Sequence, residues 1–314
     1  MSGASKLALV AGPAQAQALL HSGGDESAAA APVAAITVGW QEYEGEQEDL
    51  ASKLGRAVTD LRLHGRAEQL FRRHPELRDA NAHKQRLILE AERYYQLRLG
   101  YAMEAALDLW AGEAHGSLLQ DHRREAVRAL RTLDRQHLRR LRAWHDAYDS
   151  QLSAQSARAL AQERLAIEEQ LTDCGTVVVS GGHVAVLLNR LRLFGMRELL
   201  ASRQVIAWGA GAMACTERVL LFHDRGPLGP RHPAFLDHGL GLTSGVVALP
   251  AARGRLALAE SARLSLLARR AAPAQCLLLD GEATALIEAG RLQHGGRSLH
   301  RLAASGRVVK ARVS

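Results

Sequence analysis

The stretch Thr176-Val-Val-Val-Ser-Gly-Gly-His-Val-Ala-Val-Leu-Leu188 joins a short apolar run to an amphipathic segment through two glycines. A second stretch, Gln204-Val-Ile-Ala-Trp-Gly-Ala-Gly-Ala-Met213, has the same order of apolar run, glycines and small-residue segment. An uninterrupted apolar run that leads into a segment of helical period is typical of a buried strand in a parallel sheet. These two strand-to-helix turns therefore predict an α/β fold.

The sequence on both sides continues the alternation of strands and helices. Strands are predicted over residues 6–11, 33–38, 58–63, 176–180, 204–207, 218–222 and 245–249. Helices are predicted over residues 14–20, 46–54, 183–194 and 256–270, and residues 275–279 with 284–289 are predicted to form a terminal β pair. Alternation of this kind favours a three-layer sandwich around a mostly parallel sheet.

Between the two alternating regions, the spacing of the apolar residues becomes helical. From about residue 64 to 171, breaks at Gly112, Gly116 and Asp149-Ser150 divide the pattern into three long helices, which look long enough to project from the body. Three N-terminal strands are too few for a separate sheet. We therefore predict one α/β domain of residues 1–63 and 172–314, interrupted by a helical insertion of residues 64–171 that offers a surface for a homo-oligomer.

The composition excludes several classes of protein. No run approaches 18 consecutive apolar residues, so a transmembrane helix is not expected. The three cysteines form no CxxC motif, which argues against a disulfide framework or a zinc knuckle and favours a reducing cytoplasm. No helical HxxxH or comparable ligand pair is present, so we expect no metal and no cofactor.

The chain carries a net charge of +7, and arginine supplies nearly all of its positive charge. On one predicted helix the arginines recur at steps of three and four residues, at Arg124, Arg128, Arg131, Arg135, Arg139 and Arg142. A polyanion would suit this stripe, but no aromatic residues interleave for base stacking. We interpret the stripe as a solvated helix face and do not expect nucleic-acid binding.

The two glycine turns are the places where chemistry is expected, because ligands of open α/β sheets bind at the carboxyl ends of strands. Paired glycines at Gly181 and Gly182 let backbone N–H groups converge on an anion or oxyanion, or they serve only a tight turn. His183 would contact a ligand or cap the following helix. Residues 209–214 fit a GxGxxA dinucleotide fingerprint, although the six residues before the next strand are too few for the usual crossover helix.

The second turn also fits a nucleophile elbow, the sharp strand-to-helix turn of hydrolases. Ala207-Trp-Gly-Ala-Gly-Ala-Met213 together with Ser180-Gly-Gly-His183 resembles the peptidase E and cyanophycinase family of serine peptidases, which has the type 1 glutamine amidotransferase-like fold. The resemblance continues through Gly239-Leu-Gly-Leu242, Val246-Val-Ala-Leu-Pro250 and Leu279-Asp-Gly-Glu-Ala-Thr-Ala285. It does not account for residues 64–171.

The resemblance implies that the family's catalytic pair is missing. Gly209 stands where the family has its nucleophilic serine, and Ala251 stands where it has a histidine base. We therefore predict a catalytically degenerate homologue that binds a small ligand, a peptide or a protein partner in the former active-site cleft. The alternatives are an active hydrolase or amidase with a relocated nucleophile, Ser180 or Cys215, and a nucleotide-binding protein that uses residues 209–214.

The predicted cleft contains polar residues that follow other strands. Its members are Gly181, Gly182, His183, Gly209, Ala210, His223, Asp224, Asp280 and Glu282. Cys215 is expected to be a small buried residue of the helix that follows the elbow.

Overall fold

The computed structural model describes residues 6–22, 31–45, 47–112, 116–223 and 232–313. Its strands are β1 (Lys6–Val10), β2 (Val33–Ile36), β3 (Val58–Asp60), β4 (Thr176–Val179), β5 (Gln204–Trp208), β6 (Arg218–Leu221), β7 (Ala234–His238), β8 (Val246–Pro250), β9 (Gln275–Leu279), β10 (Thr284–Glu288), β11 (Arg291–Gly295), β12 (His300–Leu302) and β13 (Val308–Lys310).

The α-helices fall into three groups along the chain. They are α1 (Pro13–Ser22), α2 (Gln47–Leu54), α3 (Leu63–Arg73), α4 (Pro75–Ala111), α5 (Ser117–Ser150), α6 (Ala154–Thr172), α7 (Val184–Leu193), α8 (Met196–Leu200), α9 (Ala210–Cys215), α10 (Ala252–Arg255) and α11 (Ser261–Ala271). A 3₁₀ segment, Val38–Tyr43, follows β2.

The central sheet has seven strands in the order β11-β10-β1-β5-β4-β2-β3. The five strands from β1 to β3 in that order are parallel, and β10 pairs antiparallel with β1. The side chains of β1, β2, β4 and β5 are almost all buried, which is why these strands are uninterrupted apolar runs.

Helices cover both faces of this sheet. On one face Val10, Val178 and Ile206 pack against α1 and α2 through residues such as Leu20 and Leu54. On the other face the alternate strand residues join a larger core that includes α3, α7, α9 and part of the C-terminal region. The α/β class and the three-layer arrangement around a mostly parallel sheet are therefore confirmed.

The C-terminal strands do not pair as the sequence suggested. The predicted β pair of residues 275–279 and 284–289 is wrong, because β9 joins a second sheet of order β13-β12-β9-β8 whereas β10 extends the central sheet beside β1. The strand β6 lies in neither sheet and pairs with β7 in a two-stranded ribbon. The sequence predicts β6, β8, β9 and β10 but not β7, and the partner of each strand depends on the tertiary packing.

Residues 64–171 form four helices and not three, with no strand among those described. The additional break is at His74, where Pro75 begins α4, whereas the predicted breaks at Gly112, Gly116 and Asp149-Ser150 coincide with the ends of α4 and α5. The prediction that these helices project from the body is wrong: Leu99 and Leu130 pack in one core with Ala234 and Leu266 of the body. The division into a domain and an insertion stays a prediction.

None of the described helices combines the length and the apolar composition that crossing a bilayer requires.

Candidate functional site

Gly209 forms the turn between β5 and α9, as the sequence predicted. It has a φ of 57° and a ψ of −132°, a region that glycine enters freely and in which any other residue is strained. Gly181 lies beside it, since a Cβ atom added at Gly209 would be 3.1 Å from Gly181 Cα. The two glycine turns that the sequence singled out therefore meet in space.

A third glycine, Gly39, completes this crossing, and no motif in the sequence indicates it. The His183 N–H donates to Gly39 O at 2.8 Å, and Gly182 has a φ of 114°. A Cβ atom at Gly182 would lie 2.3 Å from Gly39 O. Three stretches of chain approach here at backbone distance, which explains why glycine is needed at each position.

His183 caps helix α7 and remains exposed. Its Nδ1 accepts a hydrogen bond from the Val186 N–H at 3.4 Å, the N-cap role that the sequence left open beside ligand contact. Ser180 is 1% exposed, and its hydroxyl donates to Ile36 O at 3.1 Å. The Ser180 hydroxyl is therefore held by the backbone and faces no histidine among the described contacts.

Cys215 and Ala251 also lack the properties of a catalytic nucleophile and a catalytic base. Cys215 is fully buried in α9, and burial raises the pKa of its thiol to about 12, so it is protonated at neutral pH. The prediction that Cys215 is a small buried residue is confirmed. Ala251 lies at the start of α10 with a φ of 51°, and it follows β8 of the second sheet, against which α9 packs.

The remaining predicted cleft residues do not follow strands of the central sheet, so the argument that selected them is wrong in that respect. His223 is exposed after β6, in the two-stranded ribbon. Asp280 and Glu282 follow β9 of the second sheet, and Asp280 accepts a hydrogen bond from the Arg253 N–H at 3.1 Å. Asp224 lies outside the described residues.

The polar groups that the Gly209 turn offers to a ligand are backbone N–H groups. Within the described part of the chain, the N–H groups of Gly182 and Ala210 have no hydrogen-bond partner. No three His, Cys, Asp or Glu side chains come together there or elsewhere among the described residues in a way that would hold a metal ion. The chemistry available at the turn is donation of N–H groups to a carbonyl or carboxylate oxygen.

A dinucleotide site does not fit residues 209–214. Helix α9 is six residues long, and the next strand, β6, does not pair with β5. The βαβ crossover that positions a pyrophosphate at a helix N-terminus is thus not built by these residues.

A cavity of about 570 Å³ lies elsewhere, between the long helices and the body. Its walls come from α5 and α6 on one side, and from residues 191–198 and 238–240 on the other. None of the residues predicted for the cleft lines it. The sequence could not indicate it, because its walls are far apart along the chain.

His145 and Arg192, which line this cavity, both contact the buried carboxylate of Asp237. Asp237 Oδ2 lies 2.5 Å from a terminal nitrogen of Arg192 and 2.9 Å from His145 Nε2. Arg192 also donates to His238 O. Although burial disfavours its charge, the hydrogen bond from His145 and the charge of Arg192 hold the pKa of Asp237 below its usual range.

Lys84 of α4 also lines the cavity, and it is only 8% exposed. Its Nζ lies 3.6 Å from the centre of the Tyr148 ring. It forms no hydrogen bond or ion pair with any described residue. Burial lowers the pKa of Lys84 from 10.5 to about 8.

Comparison with known proteins identifies no family. No family model matches the sequence, and no curated protein matches it. Among solved structures, the chain is similar to a peptidase from an acI-B1 actinobacterium, with 12% identity, a TM-score of 0.47, and coverage of 99% of this chain and 96% of that chain.

Proposed function

We propose that this protein is a catalytically degenerate, peptidase-like protein that binds a peptide or a small carbonyl-containing molecule at the Gly209 turn without hydrolysing it. The observation that carries the proposal is the main chain of Gly209. It has the sharp strand-to-helix conformation of an elbow, but no side chain to act as a nucleophile. The sequence resemblance to the peptidase E and cyanophycinase family supplies the comparison, because that family has a serine there.

The groups nearby support binding without covalent chemistry. Unpaired N–H groups at Gly182 and Ala210 suit a carbonyl or carboxylate oxygen of a ligand. A nucleophile also needs a base within hydrogen-bond reach, and Ala251 supplies none. Ser180 and Cys215, the candidates for a relocated nucleophile, are both buried, and the Ser180 hydroxyl is bonded to the backbone.

The first prediction tests hydrolysis directly. The unmodified protein should not react with a fluorophosphonate probe or with iodoacetamide in the folded state, and it should not hydrolyse a peptide pool at about 1 per second, an ordinary enzyme rate. Gly209→Ser should stay inactive, since it lacks a base, whereas Gly209→Ser with Ala251→His is the variant in which activity could appear. Probe attachment at Ser180 or Cys215, mapped by mass spectrometry, would establish the active-hydrolase alternative.

Binding is tested separately from hydrolysis. In an NMR titration with short peptides, the amide resonances of Gly182 and Ala210 should shift, because those N–H groups would gain an acceptor. The amide of Gly100, on the surface of α4, is the control and should not move. Shifts confined to residues remote from the turn would contradict the proposed site.

A further inference from the structure

We propose that the cavity between the long helices and the body is a binding site for a small organic anion, a carboxylate or phosphate with an apolar body, and that Lys84 is its central contact. This site is separate from the Gly209 turn, and the inference does not rest on the function proposed above.

The charge of Lys84 has no ion-pair partner in the described part of the chain. A lysine residue that is more than nine-tenths buried normally has an acidic partner, because removing its ammonium group from water costs several kcal/mol. Lys84 has an aromatic ring at 3.6 Å and, among the described residues, no carboxylate within ion-pair distance. An anion in the cavity would supply the missing partner.

The other charged residues around the cavity differ in whether they are already paired. Arg192 and Arg164 are already paired, with Asp237 and Glu198. Arg142 and Arg197 also line the cavity and, like Lys84, have no hydrogen bond or ion pair with any described residue.

Two carboxylates without an ion pair to any described residue, Asp146 and Asp149, also line the cavity on exposed residues; partial burial raises the pKa of Asp149, and the nearby charge of Lys84 lowers it. Only one of the unpaired charges in the lining belongs to a buried residue, and that charge is positive. Lys84, Arg142 and Arg197 together outnumber the two carboxylates, and Lys84 is the most buried of these residues, so the cavity favours an anion. Arg142 and Arg197, at the more exposed positions, would attract the same ligand.

The cavity also has the volume and the apolar surface that a small organic ligand needs. A volume of about 570 Å³ lies within the range of small-molecule pockets. Leu152, Leu160 and Phe194 contribute apolar walls. A ligand that combined an anionic group with a hydrocarbon or aromatic body would use both kinds of surface, whereas a bare inorganic ion would use only one.

The experiment compares three probes with the same alkyl chain: hexanoate, hexyl phosphate and hexan-1-ol. Calorimetry at neutral pH should show that one or both anions bind the unmodified protein and that the alcohol binds at least about tenfold more weakly, because it offers Lys84 no charge. Binding of only one anion would assign the ligand to the carboxylates or to the phosphates. Binding of neither anion with a Kd below about 1 mM, or equal binding of the alcohol, would overturn the proposal.

Two variants with matched controls locate the binding. Lys84→Met keeps the length of the side chain and should weaken anion binding at least about tenfold, whereas Lys53→Met, the same change at an exposed position of α2, should not. Arg197→Glu should also weaken binding, and Arg158→Glu on exposed α6 surface should not. Should Lys84→Met fail to fold, unchanged binding by Arg197→Glu would overturn the proposal.

A spectroscopic measurement identifies the contact itself. The chain has four lysines, so its ¹⁵N-labelled lysine side chains give a simple spectrum. Addition of hexanoate or hexyl phosphate should shift the Lys84 signal and leave that of Lys53 in place. A shift of other lysines without Lys84 would contradict the site. None of these variants lies at the Gly209 turn, so failure here leaves the function proposed above untouched.

Discussion

At the scale of single residues, glycine at position 211 allows α9 to begin directly against β4. A Cβ atom at Gly211 would lie 2.2 Å from Val179 O and 2.7 Å from Ser180 O. Both are backbone atoms, which no side-chain rotation can move away. The close approach fixes the position of the Gly209 turn over the carboxyl end of β4. The spacing of the two glycines in the motif thus has a packing cause that is independent of any catalysis.

We therefore expect Gly211→Ala to destabilise the protein by about 3 kcal/mol or more, since the strand or the helix must move to admit one methyl group. Urea unfolding followed by circular dichroism measures the change. The matched control is Gly100→Ala in the middle of α4, where no atom lies within 4 Å of the added Cβ atom. That change should be neutral or stabilising by about 0.5–1 kcal/mol, because alanine restricts the unfolded chain. Equal effects at the two positions would contradict the packing argument.

Lys84 reduces the stability of the protein at neutral pH. Since its pKa is about 8 in the folded protein and 10.5 as its ordinary value, the unfolded chain holds a proton between those pH values that the folded protein has released. The free energy of unfolding therefore rises with pH across this window. At pH values below this window, burial of the charged ammonium lowers the free energy of unfolding by on the order of 3 kcal/mol. The charged groups around it are Asp149 and His145 of α5, Arg192 of α7 and Asp237 of β7.

Lys84→Met should accordingly raise the free energy of unfolding at neutral pH by about 2–3 kcal/mol, because no charge is buried. The gain should shrink as the pH rises from 8 towards 10.5. Urea unfolding at a series of pH values measures this gain. For the control, Lys53→Met, the difference in the free energy of unfolding from the unmodified protein should not change with pH. A gain for Lys84→Met that did not change with pH would show that the ammonium is not the cause.

At the scale of secondary-structure elements, one buried network joins the long helices to the body. Arg270 of α11 donates to both carboxylate oxygens of Asp134 of α5, at 3.0 and 2.8 Å, and Tyr95 of α4 donates to Asp134 at 2.6 Å. Arg270 also donates to Pro233 O, and the Phe235 N–H donates to the Tyr95 hydroxyl. This network therefore joins α4, α5, α11 and β7, and each of these polar groups has a hydrogen-bond partner.

Asp134→Asn should destabilise the protein by about 3–5 kcal/mol, since it leaves the fully buried Arg270 without a counter-charge. Asp121→Asn is the matched control on the same helix, because it removes the partner of Arg124 at an exposed position. Its effect should stay below about 1 kcal/mol. Thermal unfolding of both variants provides the comparison. Similar losses of stability in the two variants would show that the network does not stabilise the packing of the long helices on the body.

At the scale of the whole molecule, the network and the cavity lie on the same boundary. The helices that contribute Tyr95 and Asp134 are also those that contribute Lys84, Arg142 and His145. The position of the cavity walls relative to each other therefore depends on how α4 and α5 pack on the body. Variants of the network that remain folded should weaken anion binding together with stability.

The amino-acid sequence by itself determined the class of the fold. The apolar runs of β1, β2, β4 and β5, and the helical spacing of residues 64–171, are local patterns, and local patterns set the kind of element that forms. The meeting of the Gly181 and Gly209 turns also followed from the sequence, because parallel strands place their carboxyl ends at one edge of a sheet.

Only the tertiary structure decided which strands share a sheet and where an unpaired charge is buried. β9 and β10 are neighbours in the chain but belong to different sheets, although buried residues of both strands lie in the same core. Lys84 has no distinguishing sequence neighbours. Its importance comes from Tyr148, Arg192 and Asp237, which are far from it in the chain and close to it only after folding, and burial is a property of that packing and not of the residue.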